Sequence, residues 1–322
     1  MKAVFYDKYG APDVLQIKEV PKPGHADDQV LVKVHAASVN YGNLVLLKGE
    51  PFLARFAFGL LKPKYSIPGG DIAGRVEAVG ANVKQFQPGD EVFGDLSGSG
   101  WGGFAEYVSV PEHALAPKPA NLSFEEAAAI PMAGTTALQS LRDKGKLCPG
   151  QKVLIYGASG GVGTFAVQIA KVLGAEVTAV CSTRNIDIAR SIGADHVIDY
   201  KIEDFANRTE KYDLILGANG KQPISVYKRA LTPKGVFVHV GGSGSQMFQA
   251  MVMGPFISKT DGKKFGTFLQ RANQKDLFLL KDYLETGKVK PVIDKRYTLA
   301  EVSEAFRYFA DGHAQGKVVI AI

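Results

Sequence analysis

Three features of this 322-residue chain predict an α/β protein with two domains, one an antiparallel β domain and the other a doubly wound parallel sheet. The first ~120 residues carry short strand-like segments separated by Gly and Pro, with no β/α alternation. From Ser123 onward strands and helices alternate. Within that second region Val153–Gly163 (VLIYGASGGVG) leads a buried apolar strand into a glycine-rich turn that opens a helix.

Met1–Tyr6 alternates like a strand, and Gln29–Ala36, Ala73–Val79 and Glu91–Phe93 follow in the same style. At Ser123 the run SFEEAAAIPMAGTTALQSL sets a Ser cap before Glu125 and Glu126, the pattern that satisfies free N–H groups and the dipole of a first helical turn. Parallel strands are expected at Lys152–Tyr156, Glu176–Cys181, His196–Asp199, Asp213–Leu216 and Val236–Val240. Helices at Thr164–Leu173, Asn185–Ser191, Phe205–Glu210 and Pro223–Ala230 link them. After Gly241-Gly242 come a strand-like Lys264–Leu269, helices Gln274–Thr286 and Leu299–Asp311, and a final strand Lys317–Ile322. These pieces break the parallel rhythm. The chain is therefore expected to return to its first domain, giving one domain of 1–121 with 263–322, a second of 122–262, and an active cleft between the lobes.

In the glycine-rich turn Gly160 and Gly163 take the second and third glycine positions of a Rossmann fingerprint, with Ala158 in the first. Ser159, Gly161 and Val162 complete the loop. The second position lets backbone approach a pyrophosphate, the third lets helix pack on strand, and the helix start offers unpaired N–H groups. A plain strand-to-helix connection is the alternative; the apolar helix and second strand that follow favour a dinucleotide. That second strand ends in Cys181-Ser182-Thr183-Arg184, without the carboxylate that takes the ribose hydroxyls of NAD. Ser182 and Thr183 offer hydroxyls, and Arg184 a cationic fork suited to a 2′-phosphate, which predicts NADPH. The alternative for Arg184 is a solvated residue at the next helix start, and for Lys171 either added charge near that phosphate or plain solvation.

The net charge of +6, from 38 basic and 32 acidic side chains, is spread too thinly to argue nucleic-acid binding. Two cysteines, Cys148 and Cys181, supply neither a disulfide framework nor a metal knuckle. No run approaches the ~20 apolar residues of a membrane span, and the first residues lack a signal core, so a cytoplasmic protein is expected.

The segments VHAASVNYGN (34–43), PGGDIAGRVEAVG (68–80), FQPGDEVFG (86–94), GGFAEYVSV (102–110), AAAIPMAGTTALQSL (127–141), YGASGGVGTFAVQIAKVLGA (156–175) and GKVKPVIDKRYTLAEVSEAF (287–306) resemble the medium-chain dehydrogenase/reductases. Within them they are similar to the zinc-free quinone oxidoreductases related to zeta-crystallin and to enone reductases. The resemblance runs from Met1 to Ile322. It implies that the first domain is GroES-like, that the protein is a homodimer, and that NADPH reduces a small hydrophobic quinone or enone. The positions that hold catalytic zinc elsewhere in the superfamily carry Asn40, Gly70 and Met132, with Asn43 for the supporting Asp, a set unsuited to zinc. Without zinc to stabilise an alkoxide, a conjugated acceptor that delocalises its charge is the expected substrate.

The resemblance also assigns residues. Asn40 orients the nicotinamide ribose or substrate oxygen, or else caps a loop; Tyr41 donates a proton, or else packs. Thr135 points toward the cofactor, Tyr200 meets its adenosine end or is a rim tyrosine, and Gly241 and Gly242 let backbone approach the nicotinamide. Asn273 and Lys317 lie near the cleft. The apolar Pro51–Tyr65 is a lid over the acceptor, an interface, or a membrane-surface contact helped by Arg55, Lys62 and Lys64. The rival functions are an NADPH-dependent alcohol/aldehyde oxidoreductase and a low-turnover NADPH-binding protein that touches RNA.

Overall fold

The computed structural model describes residues 1–220, 222–241 and 262–322. They divide into two compact units, Met1–Thr135 with Arg271–Gly287 and Pro291–Ile322, and Thr136–Gln270 with Lys288–Lys290.

The first unit begins with an antiparallel ribbon of β1 (Lys2–Phe5) and β2 (Gln16–Glu19). Its main sheet is organised by the long strand β3 (Gln29–Val39), which pairs antiparallel with β4 (Asp71–Val79) along most of its length. Strand β5 (Glu91–Asp95) adds to β4, β6 (Tyr107–Pro111) pairs with the first half of β3, and β7 (Leu115–Pro117) adds to β5. The chain's last segment supplies β14 (Ile293–Thr298) and β15 (Lys317–Ala321), and β15 pairs with the second half of β3. Val30, Val32 and Val34 of β3 pack with Ile72, Val76 and Val92 in one core. Val39, Leu46, Leu47, Phe104, Phe306, Val318 and Ile320 form another. Helices α1 (Tyr41–Lys48) and α2 (Arg55–Phe58) follow β3, and α3 (Phe124–Ala128) opens on the Ser123 cap, whose hydroxyl accepts from Glu126 N while Glu126 answers to Ser123 N. Helix α4 (Pro131–Gln139) spans the division between the units.

The second unit is a parallel sheet. Its strands, β8 (Lys152–Tyr156), β9 (Glu176–Cys181), β10 (His196–Asp199), β11 (Tyr212–Ala218), β12 (Leu231–Val240) and β13 (Lys264–Thr267), lie in the order β10-β9-β8-β11-β12-β13. The order reverses at β8, and in such sheets ligands bind beyond the strand ends at that switch point. Helix α5 (Gly161–Val172), buried continuously from Gly163 to Ala170, follows β8 directly. Helices α6 (Ile186–Ser191) and α7 (Ile224–Ala230) complete the winding, and in the first unit α8 (Gln274–Glu285) and α9 (Val302–Ala310) lead into the C-terminal strands.

The unit limits differ from those expected. Residues 122–135 join the first unit because α3 packs on β3 and β4. Lys264–Thr267 stays in the second unit because it pairs parallel with β12, from Val236↔Lys264 to His239↔Thr267, and extends the sheet it was expected to leave. Where a helix was expected at Phe205–Glu210 there is only a three-residue turn, Phe205–Asn207, capped by Asp204. Only Phe205 and Ala206 of that segment are apolar and buried, so a further helical turn would have no face to pack. Among the described residues no helix is long and apolar enough to cross a membrane.

Candidate cofactor cradle and reaction site

Strand β8 ends in a turn that only glycine can make. Gly157 has φ +78° and a Cβ there would stand 1.9 Å from Ala218 O, so this residue performs the tight-turn role that sequence spacing gave to Ala158. Gly163 lies against the same turn, where a Cβ would meet Gly157 O at 2.1 Å. Gly160 differs: among the described residues a Cβ would meet only Gly157 O, at 3.5 Å. Ser159 is buried beside it, and Gly161, Val162 and Gly163 form the first turn of α5, whose N–H groups have no intrahelical acceptor. A glycine at the start of a twelve-residue helix, at the sheet's switch point, presents N–H groups of the kind that take an anion.

The turn after β9 stands next to it. Ser182 is buried, while Thr183 and Arg184 are exposed. A carboxylate does stand here, supplied by the neighbouring strand: Asp199 pairs in register with Cys181. Hydrogen bonds from Thr183 hold the Asp199 carboxyl below the usual range, and its Oδ1 also accepts from Lys201 N at 2.9 Å. The Thr183 hydroxyl is thus turned to Asp199. Tyr200, about half exposed, follows on the same strand end, with its ring stacked on Tyr156 at 6.2 Å. Lys171 is elsewhere. It sits in the last turn of α5 and bonds Asp195, which precedes β10, at 2.7 Å. Ten residues of helix, about 15 Å, separate it from the glycine turn, so it lies far from the adenosine end. Gly241 has φ +63°, and among the described residues nothing lies within 4 Å of where a Cβ would stand; Gly242 lies outside the described residues.

In the first unit, strand register gathers a buried polar network. Ser38 is the partner of Asp71 across β3 and β4, and Val39 of Val318 across β3 and β15, so Asn40 and Lys317 meet just past these pairs. Asp71 Oδ2 accepts from Asn40 Nδ2 at 2.7 Å and Ser38 Oγ at 2.9 Å, and its Oδ1 accepts from Met132 N at 2.9 Å. Lys317 Nζ donates to Asn40 Oδ1 and lies 3.5 Å from Asp71 Oδ2. Asn40 N donates to Asn43 Oδ1 at 2.8 Å. All of these side chains except that of Met132 are buried. Burial raises the Asp71 pKa against the opposing Lys317 charge, and burial lowers that of Lys317 against the opposing Asp71 charge. Lys317 therefore acts on Asn40 and Asp71, and the Asn40 amide is held at both ends.

Where a metal would need ligands the space is apolar. A Cβ on Gly70 would meet Met132 Cε at 3.0 Å and Trp101 Cζ3 at 3.1 Å. Trp101 is held at φ +64°, a conformation rare for a bulky residue, and Phe58 meets its ring edge-on at 6.2 Å. Pro51–Tyr65 forms two short turns from which Phe52, Leu53, Phe56, Leu60 and Leu61 project into solvent. Tyr41 is 46% exposed, and burial of the rest of it raises its hydroxyl pKa. Thr135 is fully buried and its hydroxyl donates to Pro131 O at 2.6 Å within α4. Asn273 caps α8, accepting from Asp276 N at 2.9 Å. Among the described residues no three His, Cys, Asp or Glu side chains converge as a metal site.

Sequence reasoning missed Gly157, Asp71, Asp199 and Trp101. Asp71 alone left a signal, an acidic residue placed directly before the apolar run Ile72-Ala73-Gly74.

A GroES-like β unit and a Rossmann unit in one chain define an alcohol-dehydrogenase type of architecture. Residues 26–120 match the alcohol dehydrogenase GroES-like domain, and residues 192–320 match the zinc-binding dehydrogenase family. The chain is 37% identical to the quinone-oxidoreductase QR1, chloroplastic, of Triphysaria versicolor, over 99% of this chain and 98% of that one. It is 35% identical to the NADPH-dependent alkenal/one oxidoreductase, chloroplastic, of Arabidopsis thaliana, over 99% of this chain and 79% of that one. Among solved structures, the quinone oxidoreductase of Coxiella burnetii superposes with a TM-score of 0.87 at 31% identity, covering 100% of this chain and 99% of that chain. The chain belongs to the medium-chain dehydrogenase/reductase family of oxidoreductases.

Proposed function

We propose that this protein is an NADPH-dependent oxidoreductase that delivers hydride to a quinone or an α,β-unsaturated carbonyl without a metal ion. The observation that carries this reading is the donor set around Asn40. Its amide is engaged by Asp71 and Lys317, Gly70 has no ligand atom, and Met132 and Trp101 fill the space where a side chain on Gly70 would go. A carboxamide, a glycine and a thioether do not fit zinc. The names of the relatives, quinone oxidoreductase and alkenal/one oxidoreductase, favour the same substrate class.

Bound NADPH would supply the hydride. The turn of Ala158, Ser159, Gly160, Gly161, Val162 and Gly163 would hold its pyrophosphate, Ser182 and Arg184 its 2′-phosphate, Tyr200 its adenosine end, and the Gly241 backbone would admit the nicotinamide. Thr183 would fix the adenosine turn through Asp199, and Thr135 would shape the α4 backbone. Asn40, held rigid by Asp71 and Lys317, keeps one Nδ2 N–H that has no acceptor among the described residues, enough to orient a ribose hydroxyl or a substrate oxygen. Tyr41, with its pKa raised by burial, keeps its proton at neutral pH and would donate it to an enolate. Trp101, Met132 and Phe58 offer the apolar wall a conjugated acceptor needs. A homodimer and a cytoplasmic location complete the proposal.

Steady-state oxidation of NADPH and NADH against a simple quinone, an enone and an aldehyde tests it. Turnover with the quinone or enone and little with the aldehyde is expected. Turnover of the aldehyde alone would replace the proposal with a carbonyl reductase.

A further inference from the structure

Asn185, the buried last residue of the short turn Thr183–Asn185 that follows β9, joins the two loops of the cradle. Its Nδ2 donates to Ser159 Oγ at 2.8 Å and to Ser182 Oγ at 3.1 Å, and its backbone N donates to Ser182 O at 2.8 Å. One side-chain amide therefore ties the pyrophosphate turn after β8 to the adenosine turn after β9.

The polarity of these bonds matters more than their number. A serine hydroxyl has one hydrogen to give and two lone pairs to receive with. An N–H arriving at Oγ fills an acceptor position and leaves the O–H to donate. Among the described residues neither Ser159 nor Ser182 donates that hydrogen to another group. Two O–H donors beside a glycine at a helix N-terminus are complementary to phosphate oxygens. Among the described residues the remaining Asn185 oxygen is buried without a partner, so there the two serines alone orient the amide. With the amide reversed, both hydroxyls would turn inward to donate to Oδ1, and the cradle would lose two donors.

We propose that Asn185 is the positioning residue for the cofactor's phosphates, setting Ser159 as a donor to the pyrophosphate and Ser182 as a donor to the 2′-phosphate. The inference rests on the NADPH reading for its Ser182 arm. Asn185→Asp keeps the shape and imposes the reversed polarity; Asn185→Ala removes the tie. Direct titration with NADPH, NADH and 2′,5′-ADP measures both.

Asn185→Asp is expected to weaken NADPH and 2′,5′-ADP about tenfold or more, the loss of a charge-assisted hydrogen bond, and NADH less. Asn185→Ala is expected to lower the NADPH-to-NADH affinity ratio in wild type and to leave it unchanged in a Ser182→Ala background, because it acts through that hydroxyl. That cycle also carries the test should the Asp variant fold poorly. Affinities within twofold of wild type for both Asn185 variants, or an equal loss of ratio in the Ser182→Ala background, would overturn the inference while leaving a wild-type preference for NADPH intact. If wild type binds both cofactors equally, the NADPH preference and the Ser182 arm fall together. The Ser159 arm then stands if Asn185→Asp weakens NADH, and falls if it does not.

Discussion

Replacing Lys317 by methionine should destabilise the protein in a way that depends on pH. The ammonium lies 3.5 Å from the fully buried Asp71 carboxylate and is itself 2% exposed. Removing one partner of a buried pair costs about 3–5 kcal/mol. Asp71 keeps three donors, at 2.7, 2.9 and 2.9 Å, so the lower end applies. At roughly 2–4 °C per kcal/mol, about 3 kcal/mol lowers the melting temperature by roughly 6–12 °C. Burial already raises the Asp71 pKa, and without Lys317 its chief opposing charge is gone. The native state then keeps a proton that the unfolded chain releases above about pH 3.9. Where the native state binds more protons, stability falls as pH rises. Lys317→Met should therefore lose more stability at pH 8 than at pH 5. The double variant Asp71→Asn with Lys317→Met, which leaves no unpaired charge, should recover most of the loss. Thermal unfolding followed by circular dichroism at both pH values is the assay. An equal loss at both, or a double variant no better than the single, would refute the buried-charge argument.

Other expectations separate folding from binding. Gly157→Ala should lower the melting temperature, since its Cβ would lie 1.9 Å from Ala218 O at a φ of +78°; an unchanged melt would show that the turn relaxes freely. Gly160→Val should fold normally, because among the described residues its Cβ would meet only Gly157 O, yet fail to bind cofactor in direct titration. Loss of Arg184 in Arg184→Ala should weaken NADPH by about 1.5–3 kcal/mol and barely affect NADH, whereas equal weakening of both would show that it does not read the phosphate. Asn40→Ala should lower kcat more than it raises the NADPH Kd; a change in Kd alone would assign it to binding.

The parallel sheet was legible because its strands are continuous apolar runs, each punctuated by a glycine or a polar turn. Lys152–Tyr156, Glu176–Cys181 and His196–Asp199 form where the pattern put them. Lys264–Thr267 was misplaced because four residues do not reveal which sheet they join; only the pairing with β12 decides. The glycine turn was recognised, but spacing could not tell that Gly157, rather than the next residue, takes the left-handed backbone. Asn40 and Lys317 were both expected near the reaction site, yet their contact crosses 277 positions and depends on the register of β3 with β15. Asn185 was invisible and the roles of Asp71 could not be read for the same reason: each matters through partners that only the folded strands bring close.

The central claim is hydride transfer without metal at a site built around Asn40. Its most direct test is metal analysis of the purified protein together with NADPH-dependent quinone and enone turnover before and after a strong chelator. The account predicts substoichiometric zinc and unchanged turnover, because Asn40, Gly70 and Met132 offer no zinc-binding donor set. One tightly held zinc per chain, removed together with activity, would contradict it.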